Sequence, residues 1–137
     1  MSVHRAAPRV LVAHSSKSLR QLVKLQLACG GYEVIVAEDA IDAGRQVVRD
    51  PPDLIVLDVE MPSLEGLEFL RSDTSMPLIP VIFLSSRREA ADRAARLGAA
   101  ACLTAPLATA RLLEVVARCL APQSEARIGY RALRNAR

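Results

Sequence analysis

The sequence predicts a doubly wound α/β domain with a five-stranded parallel sheet in the order 2-1-3-4-5, and three observations carry that reading. Short apolar runs of strand length alternate with helix-period segments five times over. The connections between them are short, which forces parallel strands, right-handed crossovers and helices on both faces of the sheet. The first, third and fourth runs are the most continuously apolar, as strands buried on both faces should be, whereas the second alternates, as at an edge. The chain has 137 residues, 51% of them hydrophobic and 3% aromatic, enough for one domain with a sizeable core of Leu, Val, Ile and Ala.

Val10 to Ala13 is the first strand. Ser16 is placed to cap a helix whose apolar face runs through Leu19, Leu22, Val23 and Leu27. The polar Gln26 interrupts that face, and Gly30-Gly31 stops the helix. Glu33 to Ala37 is the second strand. Asp39 caps the next helix, which carries Ile41, Gly44, Val47 and Val48 and ends at Pro51-Pro52. Leu54 to Asp58 is the third strand, four apolar residues closing on one carboxylate. A short helix around Leu67 to Arg71 sets Leu67 and Leu70 toward the core. Val81 to Ser85 is the fourth strand, and Glu89 to Leu97 is an Ala/Arg-rich helix stopped by Gly98. Ala101 to Thr104 is the fifth strand, and the last helix runs from about Thr109 to Leu120, broken at Pro122. In such sheets the crevice lies outside the carboxyl ends of the first and third strands. Residues 14–16, 58–62, 85–88 and 104–106 therefore converge on one rim, with Asp58 where a reactive acid would stand.

No apolar stretch approaches the ~18 residues needed to span a bilayer, and Val10 to Ala13 is too short for a signal peptide. A soluble cytoplasmic protein without membrane contact is expected. Cys29, Cys102 and Cys119 are odd in number, widely separated and lack metal-ligand spacing, so reduced and mostly buried thiols are expected. The net charge of +3 is uneven: residues 1–120 hold 14 Lys plus Arg against 14 Asp plus Glu, while Arg127, Arg131, Arg134 and Arg137 follow against Glu125. The organisation expected is a globular body, 1–122, and a basic tail, 123–137, with Tyr130 its one aromatic. Such a tail offers contacts to phosphates or an acidic partner, but a solvated tail is the default and nucleic acid is not an expected partner. Seventeen residues beyond Leu120 are too few for a helix-turn-helix output domain.

Four segments, RVLVAHSSKSLR (9–20), PPDLIVLDVEMPSLEGLEFLR (51–71), PVIFLSSR (80–87) and LGAAACLTAP (97–106), resemble the receiver domain of bacterial two-component response regulators. The resemblance covers roughly residues 8 to 120. It implies the flavodoxin-like, CheY-like form of the fold and a phosphoprotein of phosphorelay signalling. Asp58 matches the phosphoacceptor served by a histidine kinase, and Ser85 the switch hydroxyl. The Glu60 carbonyl matches the family's main-chain Mg²⁺ contact, and Ala105-Pro106 its cis-proline position.

Other positions depart from the family. His14 and Ser15 stand where the family carries its Mg²⁺-binding acidic pair, Ala105 where it carries a lysine, and Cys102 where it carries a rotating aromatic. Losing the lysine removes a charged contact worth ~1.5–3 kcal/mol. Asp58 alone is a poor cage for Mg²⁺, which prefers oxygen ligands, and imidazole suits Zn, Cu or Ni better. No metal ligand set, no cofactor and no catalytic residue are therefore expected, and Arg87 or a protonated His14 remain as substitute cations. Without crowded carboxylates the unliganded site should be unstrained and hold one conformation. Ala100 and Ala101 replace acids that many receivers use in ion pairs across a dimer. A homodimer through the helix 89–97, the strand 101–104 and the helix 109–120 would rest on packing. Arg87, Arg88, Arg93 and Arg96 form either a partner-binding face or a solvated one.

The expectation is a receiver-like signalling protein, not an enzyme, that acts by contact with a histidine kinase or another signalling protein and has a degenerate phosphorylation site. The alternative is a working phosphoreceiver on Asp58. Asp58-Val59-Glu60 also suggests a phosphohydrolase of the haloacid dehalogenase type. That family puts its nucleophile on the first strand and adds a lysine and a later acidic pair, none of which is met here.

Overall fold

Every strand forms where the expected apolar run lies, and the helices among the described residues start or stop on expected punctuation. The computed structural model describes residues 7–64, 79–88 and 90–120. In chain order the elements are β1 (Arg9–Ala13), α1 (Lys17–Cys29), β2 (Glu33–Ala37), α2 (Ala40–Arg49) and β3 (Leu54–Asp58). β4 (Val81–Ser85), α3 (Ala90–Arg96), β5 (Ala101–Thr104) and α4 (Thr109–Leu120) follow. The helix expected around Leu67 to Arg71, the residue Glu89 and the basic tail lie outside the described residues.

The sheet runs β2-β1-β3-β4-β5 with all neighbours parallel. β3 and β4 are buried along their whole length, as central strands covered on both faces must be. Alternate side chains feed two separate cores. Leu11, Ile55, Leu57, Val81 and Phe83 pack with Ala43 and Val47 of α2 and Ala94 of α3. Val10, Val12, Leu54, Val56 and Ile82 pack with Val23 and Leu27 of α1 and Leu112, Val115 and Val116 of α4. Each fully buried Val, Leu, Ile or Phe side chain contributes roughly 1.5–3 kcal/mol, so the paired cores fix the register and hold the strand ends level.

The helix termini follow local chemistry. The Ser16 hydroxyl accepts from the Leu19 N–H, and the Asp39 carboxylate from the Asp42 N–H, each satisfying a donor that the first turn leaves free. Gly30 closes α1, and Gly31 takes a φ of 91°, the left-handed region that favours glycine. A Cβ at Gly30 would stand 2.5 Å from Leu113 Cδ2 of α4; glycine there lets the two helices approach.

Three expectations are corrected. Gln26 does not interrupt the buried face of α1 but belongs to it: its Nε2 donates to the Leu107 carbonyl at 3.1 Å and to Thr109 Oγ1 at 3.0 Å, pinning α1 to the start of α4. Leu19 and Leu22, expected on that face, are instead 45% and 47% exposed, because the helix turns its Val23–Gln26–Leu27 side inward. The thiols are free but not mostly buried: Cys29 is exposed at the end of α1, and Cys102 and Cys119 are intermediate.

The amino end of the sheet is closed by charge. The Arg9 backbone N–H donates to Asp53 Oδ2 at 2.7 Å. Its guanidinium pairs with the Asp50 carboxylate, bonds the Asp50 carbonyl at 3.2 Å, and stands 3.6 Å from Glu33.

Candidate functional site

At the carboxyl end, the register brings Asp58 level with Leu84 and Ser85 level with Thr104. Asp58 is thus delivered to the rim by a strand that is apolar for its four preceding residues. Its side chain is 12% exposed. Oδ1 accepts from the Glu60 N–H at 2.9 Å, a bond that folds the chain back just after β3. Oδ2 faces His14 Nε2 at 3.7 Å, too long for a hydrogen bond.

His14 follows β1 directly, its N–H bonded to the Ala37 carbonyl of β2. The Ser16 N–H donates to His14 Nδ1 at 3.0 Å. An imidazole nitrogen that accepts a hydrogen bond carries no proton, so the neutral ring holds its proton on Nε2, the edge turned to Asp58. In that tautomer His14 offers Asp58 a donor and has no lone pair aimed at it. The His14 carbonyl is taken by Arg20, whose guanidinium donates to it at 2.7 Å. Ser15 is exposed.

Ser85 is buried at the end of β4. Its hydroxyl donates to the Arg87 carbonyl at 2.6 Å and accepts from the Arg87 N–H at 2.8 Å, a closed local turn of the kind serine favours. Next to it the Ser86 hydroxyl donates to Glu60 Oε1 at 2.8 Å. That bond is the main reason the Glu60 carboxyl lies below its ordinary value. Desolvation works against it, while the Ser86 backbone N–H and the charges of Arg87 and His14 add to it. Arg87 therefore acts electrostatically on Glu60, and its own side chain is exposed.

Ala105 is exposed, and its N–H donates to the Ser85 carbonyl at 2.8 Å. The Ala105–Pro106 peptide is cis. Cys102, midway along β5, packs against the core, and burial pushes its thiol above the ordinary cysteine value. Among the described residues no three His, Cys, Asp or Glu side chains are grouped as ligands of one ion, and no helix is long and apolar enough to cross a membrane.

Between α1 and the segment after β5 a cleft of about 550 Å³ reaches Asp58. Leu19 and Leu22 line it from α1, Leu103 from β5, and Pro106 and Leu107 from the following turn. The strand ends, Asp58, Ser85 and Ala105 were legible from the sequence as rim positions. The cleft, the tautomer of His14, the Glu60–Ser86 bond and the position of Arg20 were not. The signal available for Arg20 was its place in the first turn of α1, four residues beyond the Ser16 cap.

Residues 10–117 match the model of the response regulator receiver domain. The response regulator MprA of Mycobacterium leprae is 37% identical over 94 residues, covering 68% of this chain and 41% of that protein. A protein-glutamate methylesterase/protein-glutamine glutaminase of Burkholderia thailandensis is 38% identical over 107 residues, 74% of this chain and 30% of that one. The chain thus spans less than half the length of these curated relatives. Among solved structures, the chemotaxis response regulator CheY4 of Vibrio cholerae superposes with a TM-score of 0.75 at 28% identity, over 84% of this chain and 100% of the other.

Proposed function

The chain belongs to the response regulator receiver domain family, and on that premise we propose that it is a binding module of two-component signalling that works with little or no Mg²⁺-dependent phosphorylation. It acts in the cytoplasm, by contact with a histidine kinase or another signalling protein, and is not an enzyme.

One observation carries the reading: around Asp58, which matches the family's acceptor, His14 and Ser15 stand where the acidic pair would be and Ala105 where the lysine would be, and among the described residues the one other carboxylate lining the site is that of Glu60. Mg²⁺ takes one or two carboxylates and several other oxygens in near-octahedral order. Here Asp58 Oδ1 already holds the Glu60 N–H, Oδ2 faces a ring nitrogen, and the Glu60 carboxylate is held by Ser86. That donor set does not suit Mg²⁺. An acyl phosphate on Asp58 would add about two negative charges beside Glu60, with Arg20 already on the His14 carbonyl and Arg87 turned to solvent. The Ser85 hydroxyl, engaged twice with Arg87, would have to leave both bonds to reach a phosphoryl oxygen.

Contact through the face of α3, β5 and α4 has its own constraint. Glu114 of α4 is shared by Arg111 at 2.7 Å and Arg118 at 3.0 Å within the helix. Ala100 is exposed and Ala101 packs inward. A homodimer on this face would be held by packing more than by ion pairs.

Incubation with acetyl phosphate and Mg²⁺ followed by intact mass tests the proposal. The expected result is little or no added phosphoryl group, with Ser15→Asp plus Ala105→Lys raising both Mg²⁺ affinity and labelling. Stoichiometric labelling of the native chain, abolished by Asp58→Ala, would establish the alternative of a working phosphoreceiver.

A further inference from the structure

The cleft beside Asp58 is larger and more apolar than a phosphoryl group requires. Its volume of about 550 Å³ falls in the ~300–1,000 Å³ range of small-molecule sites, which combine a mostly apolar wall with a few placed polar groups. Leu19, Leu22, Leu103 and Leu107 form much of the wall. Half of the Leu19 and Leu22 surface remains in water, and an apolar body seated there would remove it. Among the described lining residues, Asp58 and Glu60 supply the acids, His14 stands beside them, and there is no lysine or arginine. Asp58 Oδ2 has, among the described residues, no donor nearer than His14 Nε2 at 3.7 Å. Ala105 lines the same wall and ends at its Cβ, so no cation reaches toward Asp58 from position 105.

We propose that this cleft binds a small organic cation, an amine or amidine on an apolar body. Its charged nitrogen donates to Asp58 Oδ2 and its body lies against the α1 leucines. The cleft is acidic and apolar, and the ligand supplies the complementary charge and the missing apolar cover. A lysine side chain of a partner protein carries the same charge but leaves most of the volume unfilled, so a free small molecule is the occupant assigned. The proposal rests on Asp58 being an unmodified carboxylate, as in the reading above.

The test uses the full chain, shown by intact mass to carry no phosphoryl group, titrated with n-hexylamine, n-hexanol and hexanoate while isoleucine, leucine and valine methyl NMR signals are followed. Hexylamine should shift the methyls of Leu19, Leu22 and Leu107 saturably and bind about tenfold or more tightly than hexanol, with hexanoate weakest. Asp58→Asn should bring hexylamine down to the affinity of hexanol and leave hexanol unchanged; Ala105→Lys, which supplies an internal cation, should do the same and serves if the first variant does not fold. Equal binding of amine and alcohol, an amine preference that survives Asp58→Asn, or shifts confined to the distant Ile41 and Val48 of α2 would overturn the proposal. Nα-acetyl-lysine methylamide binding as tightly as hexylamine would overturn it in favour of a protein side chain. Labelling by acetyl phosphate would overturn the preceding reading alone, since the amine titration is read on unmodified protein.

Discussion

The two ends of the sheet each hold one shielded charge, and they treat it in opposite ways. At the amino end the Arg9 side chain is 14% exposed and is met by Asp50, Glu33 and, through its backbone, Asp53. At the carboxyl end the Asp58 side chain is 12% exposed and, among the described residues, is met by one backbone N–H and the edge of an imidazole. Similar shielding thus goes with a surplus of counter-charge at one end and a deficit at the other. A charge taken out of water needs partners. The first end has the character of a clamp on β1, β2 and the loop before β3; the second leaves binding capacity unspent.

That contrast can be broken from the amino end first. Arg9→Ala would take the guanidinium from Asp50 and Glu33 while keeping the backbone bond to Asp53, and the loss should be about 2–3 kcal/mol, below the ~3–5 kcal/mol of a fully buried pair because Asp50 and Glu33 are half exposed. Urea unfolding measures it, and a loss under about 0.5 kcal/mol, the size of an ordinary surface change, would remove the clamp. Next is Gln26→Ala, which takes both donated bonds from Leu107 and Thr109. About 1–2 kcal/mol should be lost, and the shifts in an amide spectrum should concentrate in residues 105–110. Smallest is Asp58→Asn, which keeps the shape and the oxygen that accepts from Glu60; the stability change should stay within about 0.5 kcal/mol. A large loss there would mean that the carboxylate is a structural anchor like Arg9 and that the two ends are alike.

Periodicity and punctuation made most of the fold legible. The run Leu54 to Leu57 could be satisfied only by burial on both faces, and Ser16, Asp39 and Gly31 act through bonds or dihedrals local to the chain. Those signals survive in one dimension. Gln26 misled because its partners lie 81 and 83 residues away, and a polar side chain reads as exposed until its acceptors are found. Leu19 and Leu22 misled for the converse reason: apolar spacing marks a face, but only the packing of α4 decides how far that face rotates inward. At the site, the residue types were legible while their orientations were not. Nothing in the letters His14-Ser15-Ser16 shows a backbone N–H capping the imidazole, and Arg9 gave no sign of the acids that gather on it from residues 33, 50 and 53.

The closed turn at Ser85 bears on which visitors the rim admits. With its hydroxyl both donating to and accepting from Arg87, the turn is a clasp shut in the resting protein. A ligand whose recognition requires that hydroxyl must open the clasp and expose two backbone groups before it gains anything. A ligand that addresses the Asp58 oxygen alone meets no such threshold. If the proposed reading holds, the rim sorts its guests before any of them reacts: tetrahedral anions, which need many donors at once, would be discouraged, and a single well-placed donor would be admitted.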